Sequence, residues 1–108
     1  MLVMKSFPLT ILSPKGSAFN EAVISVSAPG TEGSFGVLAE HIPMVATLKA
    51  GVLKVRTAAQ TEKFFALDSG VLEVQKSREV LVLLDNVWGS PDEQSAQSKA
   101  RELQAARN

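Results

Sequence analysis

The chain has 108 residues, no cysteine, one histidine, and eleven Lys+Arg balanced by eleven Asp+Glu, for a formal net charge of zero. That length suits one domain with one modest core, and zero net charge leaves no long-range field to draw in nucleic acid or an anionic membrane. Lack of cysteine excludes disulfides, thiolate chemistry and the common structural zinc sites, while no apolar run nears the roughly 20 residues that span a bilayer and no signal-peptide pattern opens the chain, so it is expected to be soluble and not secreted.

From Val3 to Ile11 apolar residues recur with period two, Lys5 being the exception, which predicts a half-buried strand with Pro8 marking an edge position. Ser13-Pro14-Lys15-Gly16 turns the chain. Across Glu21 to Ala28 the set Ala22, Ile24, Val26 and Ala28 is expected on one face, with Glu21, Ser25 and Ser27 on the other. The run from Ala28 to Pro43 crowds three evenly spaced glycines, Gly30, Gly33 and Gly36, with two prolines and His41. It reads as a shaped loop that turns repeatedly and, lacking a reactive side chain, as a docking surface.

Met44 to Leu48, Gly51 to Thr57 and Lys63 to Leu67 read as further short strands, separated by Lys49-Ala50-Gly51 and by Ala58-Ala59-Gln60-Thr61-Glu62. After the turn signal Asp68-Ser69-Gly70, Leu72 and Val74 alternate with Glu73 and Gln75. Lys76-Ser77-Arg78 closes a hairpin, and Glu79 to Leu84 is expected to be a strand buried on both faces. Strand signals at this spacing predict an antiparallel sandwich or barrel.

At Ser90 the pattern changes. Ser90 as cap, Pro91 at the first helical position and Glu93 completing a capping box predict a helix to about Arg107. Its apolar positions Ala96, Ala100, Leu103 and Ala106 fall on one face, and Lys99, Arg101 and Arg107 are expected on a solvated one. The resulting division is a β-sandwich over 1–87 and a short helical segment over 88–108.

Catalytic readings have little to stand on. His41 has no second histidine or cysteine beside which to hold a metal. Ser69 next to Asp68 lacks the nucleophile elbow of a hydrolase. The three-residue spacing of Gly30, Gly33 and Gly36 fits neither phosphate-binding glycine pattern. Trp88 is either a cover for the end of the core or a contact residue.

Leu9-Thr10-Ile11-Leu12-Ser13-Pro14, Pro29 to Leu38, His41-Ile42-Pro43, Leu48 to Leu53 and Ser69 to Val74 together resemble the epsilon subunits of F-type ATP synthases, called delta in mitochondria. The resemblance implies a flattened antiparallel β-sandwich followed by a single C-terminal helix, serving as a non-catalytic rotor subunit of the central stalk. Its partners would be the gamma subunit and the ring of c subunits, and it would couple proton flow to ATP synthesis. By that similarity Thr31, Glu32, Gly33 and Ser34 would touch the polar loops of the c ring, and Glu40, His41 and Ile42 would lie near the junction of gamma and the c ring. Many relatives carry an acidic residue at Ser34 and a glycine at Glu40.

The resemblance further implies no catalytic residue, cofactor or metal, and membrane association only through the complex, on the cytoplasmic face in bacteria or the matrix face in mitochondria. Many relatives add an inhibitory helical hairpin, for which one helix is too little, and the Asp and Arg-Ala motif of ATP-binding relatives is not reproduced at Asp92 to Gln97. Neither ATP binding nor strong self-inhibition is expected. Two other classes stay open: a free-standing β-sandwich module that captures a ligand or peptide at the glycine-rich segment, and a small hydrolase using His41 with a carboxylate.

Overall fold

The computed structural model describes residues 5–106. Nine strands precede one helix: β1 Phe7–Ser13, β2 Gly16–Gly30, β3 Gly33–Leu38, β4 Met44–Leu48, β5 Gly51–Thr57, β6 Glu62–Leu67, β7 Gly70–Val74, β8 Val80–Leu84, β9 Val87–Ser90 and α1 Glu93–Ala106. Val3 and Arg107, expected in the first strand and at the helix end, lie outside the described residues.

One continuous ladder joins all the strands, in the order β1-β8-β7-β4-β2-β5-β6-β9, with β3 on β2 and β1 also on β2. It curls into two layers because β2, at fifteen residues, serves both. Its first half pairs with β1, Ile11 opposite Phe19, and its second half pairs with β3 and β5. Between the layers lies the core, in which Leu9, Ile11, Val23, Leu53, Leu72 and Val82 are completely buried. The expected antiparallel sandwich with one C-terminal helix is thus the observed class, although one of its ladders, β1 with β8, is parallel.

The switch of layers alters the face pattern predicted for β2. Phe19 and Val23 join the core in the first half and Val26 and Ala28 in the second, Ile24 is buried outside that cluster, and Ala22 is exposed. Both Val23 and Ile24 are buried because the register with β5 slips between Val23 and Ser25. Such an irregularity adds a residue and bends the strand, so the alternation changes phase there.

Two other expectations change. Pro8 does not mark an edge, since β1 is paired on both sides; it sits one residue before the β8 ladder begins at Leu9, where a missing N–H is harmless. β8 is buried on one face only: Val80, Val82 and Leu84 are inside, while Leu83 is exposed.

The glycine-rich run is a hairpin rather than a loop of repeated turns. β2 and β3 pair from Ser25 opposite Leu38 down to Gly30 opposite Gly33, leaving Thr31 and Glu32 as a two-residue turn. Of the three glycines only Gly33 adopts a positive φ, 123°. Gly30 instead makes room for the Phe35 ring, which would lie 2.9 Å from an added Cβ.

The helix starts later than the capping box predicts. Ser90 ends β9, opposite Phe64, and Asp92 is the cap, its Oδ1 accepting the Ser95 amide at 2.7 Å. Ala96 and Ala100 are buried as expected, Leu103 is half-buried and Ala106 exposed. The described last turn holds no basic residue, and Lys99 leaves the solvated face to stack on Trp88, 4.9 Å from the ring centroid. Trp88 is half-buried beside the helix.

Hydrogen bonds from the Ser95 amide and hydroxyl hold the Asp92 carboxyl below its ordinary value. A depressed folded-state value stabilises the fold above the unfolded value, near pH 4, and that contribution disappears as acid titrates the group. The helical far-UV signal of the wild type should therefore decline in acid below that range more steeply than that of Asp92→Asn. Superimposable acid titrations would contradict the cap.

Candidate docking surface

The hairpins sort the turns to two ends of the sandwich. At one end lie Thr31 and Glu32, the Pro14-Lys15 turn, Lys49-Ala50, Asp68-Ser69 and Asp85-Asn86, each joining successive strands. At the other lie Glu40, His41 and Ile42 between β3 and β4, the Ala58 to Thr61 turn, and the Gln75 to Glu79 turn. Four residues of β3, Phe35 to Leu38, lie between the two groups of site residues and hold them about 15 Å apart. Thr31, Glu32, Gly33 and Ser34 are thus together, as are Glu40, His41 and Ile42, and the two groups are apart.

The Thr31 turn is pinned to β4: the Thr31 amide donates to the Thr47 carbonyl at 3.0 Å, and the two threonine hydroxyls are 2.7 Å apart. Glu32, Gly33 and Ser34 are exposed. Near this turn Asp68 accepts from the Ser69 amide at 2.7 Å and, through its other oxygen, from the Asn86 side chain at 2.9 Å. Ser69 Oγ donates to Asp85 Oδ2 at 2.5 Å. These bonds join two neighbouring turns, a role the sequence reading reduced to a turn signal.

At the opposite end Glu40 has φ 66° and its carboxylate meets Lys5 at 2.9 Å and Arg78 at 3.4 Å. The hydrogen bond from Lys5, then the charges of Lys5 and Arg78, hold the Glu40 carboxyl below its usual value. His41 is half-buried, and its Nδ1 donates to the Ile42 carbonyl at 2.8 Å. His41 and Ser69 stand at opposite ends, so no Ser-His pair forms. Among the described residues no three His, Cys, Asp or Glu side chains converge as a metal site.

The feature that sequence reasoning missed is a bare sheet face. On one layer α1 packs across β5, β6 and β9 and covers Ala66. On the other, the outward residues form two cross-strand rows. One runs Leu12, Leu83, Val71, Thr47, and the next runs Thr10, Leu81, Glu73, Val45. Leu83 is 47% and Val45 66% exposed, with Ile42, two residues before the start of β4, at 74%. A cleft of about 670 Å³ opens where Leu12, Val71 and Leu83 meet Ser69 and Asp85. The signal was hidden because β8 is apolar at every position, so its period could not reveal which side would be left open.

The sequence matches the family described as ATP synthase, Delta/Epsilon chain, beta-sandwich domain, over residues 6–89. It is similar to the ATP synthase epsilon chain of Sulfurimonas denitrificans, 35% identical over 97 residues, which cover 90% of this chain and 75% of that one. It is also similar to the epsilon chains of Bradyrhizobium sp., 39% identical over 100 residues (93% of this chain, 72% of that one), and of Helicobacter pylori, 38% over 104 residues (93% and 83%). In fold it resembles a chain of the Euglena gracilis mitochondrial ATP synthase OSCP/F1/c-ring structure, with TM-score 0.76, 22% identity and coverage of 99% of this chain and 67% of that one. A chain of the Tetrahymena thermophila mitochondrial ATP synthase central stalk and c ring superposes with TM-score 0.70 at 13% identity, covering 99% of this chain and all of the other. With the matched domain spanning the whole sandwich, this chain belongs to the delta/epsilon family of ATP synthase subunits.

Proposed function

We propose that this protein is a non-catalytic rotor subunit of the F-type ATP synthase, seated between gamma and the c ring, where it couples proton flow to ATP synthesis. The observation that carries the reading is the asymmetry of the sandwich: one outer face is covered by the chain's own helix, and the other is crossed by no helix among the described residues and turns Leu12, Leu81, Leu83, Val71 and Val45 outward among Thr10, Thr47 and Glu73. Contiguous exposed apolar surface of this kind is the mark of an interface.

In this proposal gamma covers the bare face together with Glu40, His41 and Ile42. The exposed turn at Thr31, Glu32, Gly33 and Ser34 meets the polar loops of the c ring. The separation of about 15 Å along β3 supports different contacts for the two groups, with Glu40, His41 and Ile42 lying against gamma near its junction with the ring. The cleft at Leu12, Val71 and Leu83 opens on the same face and adds apolar surface to it. Such a permanent contact should bury on the order of 2,000 Å².

The continuous ladder suits the task, because a two-layer sheet transmits torque with little bending. No helix among the described residues is long and apolar enough to cross a membrane. Attachment to the membrane, on its cytoplasmic face in bacteria or matrix face in mitochondria, then runs through the partners. The sandwich, which β9 extends to Ser90 rather than ending at 87, carries the docking, and α1 braces its other face. ATP is not a ligand of this chain in the proposal.

Reconstitution tests it. ATP synthase assembled without this subunit should lose proton-driven ATP synthesis while its F1 portion continues to hydrolyse ATP, and adding the purified chain should restore synthesis. Undiminished coupling without the subunit would refute the role.

A further inference from the structure

Three non-glycine residues among those described adopt a left-handed backbone: Glu40 at φ 66°, Gln60 at 66° and Arg78 at 76°. Left-handed geometry is unfavourable for such residues and persists where surrounding contacts hold it. For two of them the backbone itself does so, since the Gln60 amide closes its turn on Thr57 at 2.8 Å and the Arg78 amide closes on Gln75 at 2.9 Å. The Glu40 turn is closed more weakly, by the His41 amide on Leu38 at 3.3 Å. What Glu40 has instead is its carboxylate, on which Lys5 and Arg78 converge from the start of the chain and from the β7–β8 turn. Two of the three left-handed residues are therefore each other's ion-pair partners, and three segments far apart in sequence meet at one side chain.

We propose that Glu40 is a positioning residue. Its carboxylate clasps Lys5 and Arg78, fixes the β3–β4 connection against the β7–β8 turn, and so presets Ile42 beside the bare face in the arrangement that a partner meets. A preset loop lowers the ordering cost of docking, and a clasp of exposed charges makes that advantage depend on salt, although the chain as a whole is neutral. The positioning role rests on the docking of gamma proposed above, whereas the clasp can be judged without any partner.

Amide hydrogen exchange on the full chain judges the clasp. At low salt, residues 39–42 of Glu40→Gln should exchange about three- to tenfold faster than in the wild type, the range spanned by two exposed ion pairs, with the amides of Val26 and Val82 unchanged. Lys5→Gln combined with Arg78→Gln, which removes the cations instead, should match it. Salt at about 0.5 M should bring the wild type to the same rate and leave the variants unmoved. Equal rates in wild type and variants, or a wild type indifferent to salt, would overturn the clasp. Titration onto purified gamma judges the positioning: wild-type docking should weaken about threefold or more with salt, and Glu40→Gln should dock less tightly with little salt response. A loosened loop with docking unchanged would overturn the positioning role. Absence of any docking by the wild type would instead defeat the rotor reading, while the exchange result would still decide the clasp.

Discussion

Gly70→Ala should destabilise this protein by about 3 kcal/mol, near the top of the range for overpacking, seen as a lower urea midpoint with an unchanged slope. Gly70 opens β7 between two neighbours, opposite Leu48 of β4 and Leu84 of β8. A Cβ there would collide with the Leu83 carbonyl oxygen and lie 2.5 Å from Leu84 Cδ2. A side chain can rotate away, but a carbonyl held in the sheet cannot, so the strands themselves would have to part. Gly36→Ala is the control, since its nearest contact would be an ordinary 3.7 Å from the Val26 carbonyl oxygen. Gly33→Ala should fall between, because nothing obstructs the site but its φ of 123° is one that side chains rarely adopt. If Gly70→Ala and Gly36→Ala unfold at the same denaturant concentration, the close approach of β7 and β8 is wrong.

Leu83→Glu should leave the isolated chain folded and weaken its docking on gamma at least a hundredfold. Leu83 faces outward between Leu12 and Val71 and is already 47% exposed, so the free protein loses little by the change. In the proposed complex the same site is covered, and an unpaired carboxylate there costs about 3–5 kcal/mol, which is roughly two to three and a half decades in affinity. Val45→Glu, in the adjacent row, should act in the same direction. Gln94→Glu, on the exposed side of α1, should have no effect. Sedimentation of each variant with purified gamma measures this, and a Leu83→Glu chain that docks as tightly as Gln94→Glu would show that the bare face is not the gamma surface.

These predictions depend on features of differing legibility. The strands at Met44–Leu48 and Gly51–Thr57 have the bounds that their alternation and flanking turn residues predict. In such short strands the pattern and the punctuation agree. The hairpin at Gly30 to Gly33 was obscured because glycine and proline, read locally, signal turning. In the fold Pro29 and Gly30 remain in the ladder, pairing with Ser34 and Gly33. The helix start was misplaced for a similar reason: Ser90 is a good cap locally, but its pairing with Phe64 keeps it in the sheet and leaves the role to Asp92. At β2 a strict period of two placed Ala22 inside, where a slip in register turned it out.

The candidate site divides along the same line. Its residues were named from the sequence by resemblance, yet nothing local said that Thr31 and Glu40 would stand at opposite ends, or that Lys5 and Arg78 would meet at Glu40. Alternation, turn chemistry and motif order by themselves determined a β-sandwich with a C-terminal helix and the family to which it belongs. Only the tertiary structure decided which apolar strand face would be left open. An outward side chain is covered or bare according to whether a distant element crosses over it: α1 returns over β5, β6 and β9, and within the described chain no helix crosses β1, β8, β7 and β4.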